Sequence, residues 1–284
     1  MYNKFGQFYN GGWHQSYDKS TYEVINPCNE EVIGDASNAK PEDVDKALES
    51  ARLGFDKWKK TTPWERSKII RKAADLIREN KETIAKWISL EVGKPLKESL
   101  AEVEGSADIF EWNSEETKRI FGRNIESRFP TTRMNVYYQP VGVVAALVAW
   151  NFPCMLASRK ISTALAAGCS VICKPDVITP GSVMSLVDII NKAGFPDGAI
   201  NLLSGDPAKV SEQLISSDIV KKVSITGSTR VGKIVLKQAA EKVQTRDSGL
   251  HGGGAGQPGE PYELRVGAHS ETRGGGERAE PGRC

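Results

Sequence analysis

The sequence predicts an α/β protein with a doubly wound parallel sheet. Two apolar runs, residues 141–149 and 171–173, flank a helix-like stretch, which is the pattern of strand, helix and strand. The same alternation continues from residue 176 to about residue 243. Repeated strand–helix units are typical of parallel sheets with right-handed crossovers. Polar residues that follow such strands meet at one edge of the sheet, where open α/β sheets bind ligands.

The composition excludes several classes of protein. The chain has 284 residues and a net charge of +2, so no global field favours nucleic acid or membrane surfaces. Its five cysteines form no CxxC pair and accompany no histidine cluster, which argues against a zinc site or a disulfide framework. We expect no metal. The N-terminus lacks the apolar core of a signal peptide, and no apolar run reaches a membrane span, so the cytoplasm is the expected compartment.

The first ninety-five residues predict edge strands followed by helices. Aromatic runs around Asn10-Gly11-Gly12 predict a β-hairpin at a sheet margin. From Pro41, apolar residues recur every three or four positions, which predicts successive amphipathic helices. Residues 91–95, EVGKP, carry a glycine that can end a helix and a proline that can start the next. We interpret Lys94 and Glu104 as packing and surface residues.

An excursion interrupts the helices before the sheet begins. Residues 119–133 are polar and irregular, and residues 134–139 predict a strand. We interpret residues 119–140 as a candidate oligomerisation segment, because an edge strand can pair with another subunit. The βα units that follow predict a helix over 182–193, a strand over 200–203, a helix over 208–215, a strand over 220–225 and a helix over 231–243.

The folded domain is predicted to comprise residues 1–244. Residues 245–284 contain no lysine, 11 of the 27 glycines and few large apolar side chains. Such a segment cannot repay the entropy of folding, which predicts a disordered Gly/Arg-rich tail. The switch from lysine to arginine suggests a change of reading frame near Gln244, which the coding DNA would test.

Two polar residues at predicted strand ends are candidates for chemistry. An amide at Asn151 can donate to a developing oxyanion, although a turn residue before Pro153 explains it equally well. Lys174 follows a buried strand, where its ammonium can meet ribose hydroxyls or phosphates. A surface lysine before a proline is the alternative.

A loop and three cysteines complete the candidate set. Residues 226–229, TGST, lie between a strand and a helix, where backbone amides can hold phosphate oxygens. A plain helix cap by Ser228 or Thr229 explains the same residues, and the GxGxxG spacing is absent. Cys154, Cys169 and Cys173 are weaker candidates for a nucleophile, since their apolar neighbours are typical of buried structural thiols.

Three segments together resemble the NAD(P)-dependent aldehyde dehydrogenase family. They are residues 149–153 (AWNFP), 173–175 (CKP) and 226–229 (TGST), and the likeness covers about residues 8–244, with the semialdehyde dehydrogenases nearest. The resemblance implies that family's variant of the dinucleotide-binding fold, with NAD or NADP as cofactor. It also implies an aldehyde substrate, oxidised to the acid, and a homo-oligomer.

The resemblance also implies roles for individual residues. Asn151 matches the amide that stabilises the thiohemiacetal oxyanion, and Lys174 matches the lysine on the adenosine ribose. Gly227 and Ser228 match contacts to the pyrophosphate. The other residues implied at the cofactor are Val148, Trp150, Asp176, Thr226 and Val231.

The chain departs from the family pattern in two respects. Val177 stands where a glutamate usually holds a ribose hydroxyl, which leaves NAD versus NADP open. Neither the family's Glu-Leu-Gly-Gly segment nor its Gly-Gln-x-Cys segment occurs after Gln244. A covalent mechanism without its nucleophile is lost rather than slowed, so this chain is expected to be inactive. The alternative is a non-catalytic fragment or interaction subunit that at most binds cofactor. A third interpretation, an RNA-binding role for the Gly/Arg-rich tail, has less support than either.

Overall fold

The structure is a computed structural model that describes residues 2–242 and 245–250. A short 3-10 helix (Tyr2–Lys4) is followed by four short strands. These strands are β1 (Gln7–Tyr9), β2 (Gly12–His14), β3 (Thr21–Ile25) and β4 (Val32–Ser37). β1 and β2 pair antiparallel across a turn in which Asn10 has a φ of 51°. The hairpin predicted from the Asn-Gly sequence is therefore confirmed. β3 and β4 form a separate antiparallel pair.

A helical block follows, as the three- and four-residue periodicity predicts. Its members are α1 (Pro41–Trp58), α2 (Pro63–Glu79), α3 (Lys81–Val92) and α4 (Leu96–Glu116). Gly93 ends α3 in the left-handed conformation with a φ of 76°, and Pro95 directly precedes α4. The breaks predicted at this glycine and proline are confirmed.

A two-stranded excursion separates this block from the parallel sheet. β5 (Arg123–Ile125) and β6 (Met134–Val136) pair antiparallel and join no other sheet among the described residues. The βα units then follow in order: β7 (Val143–Leu147), α5 (Pro153–Ala166), β8 (Ser170–Lys174), α6 (Pro180–Ile190), β9 (Ile200–Leu202), α7 (Pro207–Ser216), β10 (Val220–Gly227), α8 (Thr229–Glu241) and β11 (Thr245–Leu250).

The main sheet has the strand order β11-β10-β7-β8-β9-β1-β2. From β11 to β9 neighbouring strands run parallel, and the N-terminal hairpin adds an antiparallel edge. The chain proceeds from β7 through β8 to β9 in one direction and then returns to lay β10 on the other side of β7. This reversal is a topological switch point, where ligands of open α/β sheets bind.

Strand β7 separates two hydrophobic cores. Val144 and Ala146 pack into the core formed with α2 to α6. Val143, Ala145 and Leu147 pack into the second core, with α1, α7 and α8. Because successive side chains of a strand point to opposite faces, helices cover both faces of the sheet. The predicted doubly wound α/β fold is confirmed.

The C-terminal part of the sheet extends beyond the predicted domain boundary. β11 pairs parallel with β10 from Lys222 to Gly227, whereas the sequence predicts disorder from residue 245. This segment gains its backbone hydrogen bonds from the outer edge of β10, which composition does not reveal. The rest of the predicted tail, residues 251–284, lies outside the described residues, as does the residue pair 243–244.

The described residues contain neither a membrane-spanning helix nor a cluster of metal-ligating side chains. No helix in residues 2–242 combines the length and the apolar content needed to cross a bilayer. In the same part of the chain, no group of three or more His, Cys, Asp or Glu side chains converges as a metal site would require.

Candidate functional site

A cleft of about 690 Å³ opens at the carboxyl ends of β7, β8 and β10. It lies at the topological switch point, between the last residues of these strands and the starts of α7 and α8. Residues predicted from separate stretches of sequence meet there. The nine predicted site residues that line the cleft are Val148, Trp150, Asn151, Lys174, Asp176, Thr226, Gly227, Ser228 and Val231.

The turn after β7 brings the amide of Asn151 to the cleft. Asn151 is exposed, and its neighbours Trp150 and Phe152 are 49% and 45% exposed. Trp150 lines the cleft, where its exposed ring can contact a ligand. The geometry therefore joins an amide donor and aromatic surface at one strand end, while their roles remain predictions.

Lys174 is buried at the end of β8, which argues against the surface-lysine alternative. The residue is only 4% exposed, and burial lowers the pKa of its ammonium to about 8. The carboxylates of Asp176 and Asp206 oppose that shift. Among the described residues no carboxylate lies within ion-pair distance of this ammonium. A buried cation facing a cleft in this way fits a ligand with hydroxyl or anionic oxygens.

The loop between β10 and α8 supports both interpretations proposed for it. Ser228 caps α8 by accepting a hydrogen bond from the Val231 amide at 3.4 Å. The backbone at Gly227 is open, because a Cβ there would meet only the Ile225 side chain, at 3.9 Å. Ser228 therefore caps α8, and Gly227 beside it leaves the backbone accessible from the cleft.

Further residues of the cleft were missed by the sequence analysis. Successive turns of α8 contribute Ile234, Val235 and Gln238 beside Val231, and the start of α7 contributes Pro207, Ala208 and Ser211. The α8 residues follow the spacing of one helix face, so periodicity could have identified them. The start of α7 carries no such signal, because only the sheet order brings it beside β7.

Two buried glutamates hold the turns that carry the predicted site, and the sequence analysis missed both. Glu91 accepts hydrogen bonds from the Gly181 and Ser182 amides, at 2.6 and 2.7 Å, at the start of α6. It also accepts from the Tyr2 hydroxyl. Burial raises the pKa of Glu91 to about 7. The signal in the sequence was its position seven residues after Ile84, on the apolar face of α3.

Glu102 has the same function at the helix after β7. Its Oε1 accepts hydrogen bonds from the Cys154 and Met155 amides, at 3.0 and 3.2 Å, in the first turn of α5. These amides would otherwise lack partners, because the first four amides of a helix have none within it. The helices that follow Asn151 and Lys174 in the chain, α5 and α6, are thus each bonded at their start by a carboxylate from the helical block.

The cysteines proposed as weaker nucleophile candidates are buried. Burial raises the pKa of Cys154 well above its ordinary value, raises that of Cys173 to about 12, and also raises that of Cys169. Thiolates are the reactive form, so these environments oppose nucleophilic chemistry. Cys28 is exposed but does not line the cleft. Cys284 lies outside the described residues.

Known proteins resemble this chain over most of its length. The profile of the aldehyde dehydrogenase family matches residues 13–255. The chain is 39% identical over 234 residues to the mitochondrial succinate-semialdehyde dehydrogenase of Arabidopsis thaliana, covering 82% of this chain and 44% of that protein. The chain spans about half the length of the curated relatives it matches.

Solved structures give the same result. An NADP-dependent enzyme of E. coli superposes with a TM-score of 0.86 at 34% identity, covering 89% of this chain and 53% of the other. A point mutant of betaine aldehyde dehydrogenase from Staphylococcus aureus, in complex with NAD+, superposes with a TM-score of 0.84 at 36% identity, covering 87% of this chain and 50% of the other.

Proposed function

The chain belongs to the aldehyde dehydrogenase family, and on that basis we propose that its described residues form the NAD(P)-binding half of an enzyme that oxidises an aldehyde to a carboxylic acid. The observation that carries the proposal is the convergence of all nine predicted residues on one cleft at the switch point of the sheet. A cofactor bound there would supply the hydride acceptor.

Two features of the cleft fit a dinucleotide. The buried ammonium of Lys174 has no carboxylate partner among the described residues, so ribose hydroxyls can accept its hydrogen bonds. Gly227 offers open backbone at the start of α8, where a helix N-terminus favours phosphate oxygens. Lys174 would then hold the adenosine end, and residues 226–228 the pyrophosphate.

Asn151 would act on the aldehyde rather than on the dinucleotide alone. Its side-chain amide can donate a hydrogen bond to the oxygen of a carbonyl that gains negative charge. Removal of one such donor costs roughly two to three powers of ten in rate in characterised enzymes. We propose this role for Asn151 in an enzyme that also contains the catalytic thiol.

We propose NAD or NADP as the cofactor and an acid semialdehyde as the substrate. Val177 supplies no carboxylate beside Lys174, so both NAD and NADP are candidates; the related proteins include an NADP-dependent enzyme and one in complex with NAD+. The likeness to a succinate-semialdehyde dehydrogenase favours an acid semialdehyde as substrate.

The small sheet formed by β5 and β6 is a candidate surface for assembly with a second copy of the chain. β5 and β6 form their own small sheet, and Phe129 and Tyr137 beside it are 62% and 76% exposed. Exposed aromatic side chains near an unpaired strand edge favour pairing with a second copy. We therefore propose a homo-oligomer.

We further propose that the 284-residue chain binds cofactor without oxidising aldehydes by itself. The sequence contains no Gly-Gln-x-Cys segment, and its three buried described thiols have raised pKa values. The second candidate function is therefore a cofactor-binding fragment or interaction subunit.

One set of measurements tests both candidates. Purified chain is titrated calorimetrically with NAD+ and NADP+, and NAD(P)H formation is followed with a panel of aldehydes that includes succinate semialdehyde. Cofactor binding without turnover supports the fragment. Turnover that Asn151→Ala abolishes would favour the active enzyme, and a chain that binds neither cofactor would contradict the proposed site.

A further inference from the structure

Lys94 lies between the Asn151 turn and a buried carboxylate. Its Nζ donates hydrogen bonds to Glu102 Oε2 at 2.7 Å and to the backbone carbonyl of Asn151 at 3.0 Å. The same Nζ lies 4.0 Å from the centre of the Phe152 ring. The Lys94 side chain is only 11% exposed and that of Glu102 is fully buried. One ammonium therefore contacts both residues at the end of the β7 turn.

The carbonyl of Asn151 depends on this contact. α5 begins at Pro153, and its first backbone hydrogen bond runs from the Leu156 amide to the Phe152 carbonyl. The Asn151 carbonyl thus lies one residue before the helical ladder. Phe152, the residue at the helix cap, makes no side-chain cap bond. The turn is held from outside, by the Lys94 and Glu102 side chains.

We propose that Lys94 and Glu102 are positioning residues that fix the peptide between Asn151 and Phe152, and so orient the Asn151 amide toward the cleft. Glu102 is held in place because it accepts hydrogen bonds from the Cys154 and Met155 amides. Lys94 bonds to Glu102 and to the Asn151 carbonyl, and so links the two. The proposal rests on the proposed role of Asn151. A reacting group displaced by about 1 Å can lose about a hundredfold in rate, so fixing the backbone beside the donor matters for catalysis.

Three variants distinguish the positioning of Asn151 from the stability of the whole fold. Lys94→Met leaves Glu102 as an uncompensated buried charge, which destabilises the whole fold. Lys94→Met/Glu102→Gln removes both charges, and the Gln oxygen can still accept from the α5 amides. The double variant should therefore recover the thermal midpoint but still lack a partner for the Asn151 carbonyl. Lys97→Met removes a nearby exposed charge from α4 and serves as the matched control.

The test is backbone 15N relaxation of the full chain without cofactor, with thermal unfolding measured in parallel. The Phe152 amide belongs to the same peptide group as the Asn151 carbonyl. In wild type and Lys97→Met we expect order parameters near about 0.85 at residues 151 and 152, and in the double variant values below about 0.6. The midpoint of the double variant should stay close to that of Lys97→Met.

Three results would overturn the proposal. The first is an unchanged order parameter at residues 151 and 152 in the double variant. The second is a loss confined to residues 154–156, which would make Glu102 a helix cap only. The third needs no variant: a wild-type turn already below about 0.6 would show that Lys94 does not fix it. Because no cofactor is added, failure of dinucleotide binding would leave these measurements unaffected.

Discussion

The amide of Val148 donates a hydrogen bond to the carbonyl of Lys174, at 3.0 Å. This bond continues the parallel pairing of β7 with β8 past its last registered pair, Leu147 and Lys174. It places the start of the turn that carries Asn151 next to the last residue of β8, Lys174. The two candidate groups therefore share one sheet edge because the strand register continues to its end.

Gly227→Ala should weaken dinucleotide binding without affecting the fold. A Cβ at this position would meet only the Ile225 side chain, at 3.9 Å, so the unfolding free energy should change by less than about 0.5 kcal/mol. The added methyl would obstruct the backbone proposed to approach the pyrophosphate, and we expect Kd to rise about tenfold, or about 1.4 kcal/mol. Calorimetric titration and urea unfolding measure the two quantities.

Gly12→Ala is the control for this substitution. Its Cβ would meet only His14 Nε2, at 3.8 Å, on a strand that does not line the cleft. Affinity should be unchanged in this variant. An unaltered Kd in Gly227→Ala would contradict the proposed pyrophosphate contact.

Dinucleotide affinity should fall as the pH rises above about 8. Burial lowers the pKa of Lys174 to about 8, so its ammonium is present at pH 7 and becomes a neutral amine at pH 9. Binding that needs the charged form then weakens by at most about tenfold per pH unit. Asp176 and Asp206 face the same group, and the pKa of Cys173, about 12, lies above this range. Titrations from pH 7 to 9 measure the slope.

Lys174→Arg provides the comparison, because a guanidinium keeps its charge throughout this range. Its affinity, whatever its absolute value, should be independent of pH from 7 to 9. Equal slopes in wild type and the variant would assign the dependence to another group.

The free energy of unfolding should fall as the pH rises from about 4.5 to 7, because Glu91 loses its proton over this range. Burial raises the pKa of Glu91 from 4.5 to about 7 in the folded state, so the folded chain binds this proton more tightly than the unfolded chain. The resulting stabilisation is complete below about pH 4.5 and is lost as the pH passes through 7. At 1.36 kcal/mol per pKa unit, the loss is on the order of 3 kcal/mol.

Glu91→Gln isolates this effect because the variant has no proton to release. Urea unfolding of both proteins at pH 5, 6, 7 and 8 gives a free-energy difference from which other titrating groups cancel. Loss of an acceptor oxygen adds a constant offset and leaves the slope unchanged. We expect wild type to lose stability relative to the variant as pH rises, and a flat difference would refute the raised pKa.

Alkylation should distinguish Cys28 from the buried cysteines. Cys28 is exposed, whereas Cys154, Cys169 and Cys173 are buried. The rise in the pKa of Cys173 from 9.0 to about 12 lowers its thiolate fraction about a thousandfold at neutral pH. Peptide mass spectrometry after brief treatment of the native chain with iodoacetamide should find Cys28 labelled and these three protected.

The same reaction in urea is the control, since Cys28 and the three buried thiols should then all react. Labelling of a buried cysteine at the rate of Cys28 in the native protein would reveal an accessible thiol near the sheet. That result would also revive the cysteines as nucleophile candidates.

Much of the fold could be read from the sequence because its signals are local. Helices α1 to α4 follow from apolar residues at intervals of three and four, and the buried strands from short apolar runs. The convergence of Asn151, Lys174 and Gly227 on one cleft follows as well, since carboxyl ends of neighbouring parallel strands meet at one edge. The strand β11 was not predicted, because its pairing with β10 depends on an available edge rather than on composition.

The sequence by itself determined the class of fold and the strand ends where chemistry can occur. Tertiary structure alone decided that Lys174 is buried, that Glu91 and Glu102 hold the helices beside the cleft, and that Lys94 contacts Asn151. The partners in these last contacts lie 52 to 90 residues apart in the chain. Periodicity reports only on neighbours along one helix or strand, whereas the partner of a buried charge is set by how distant elements pack.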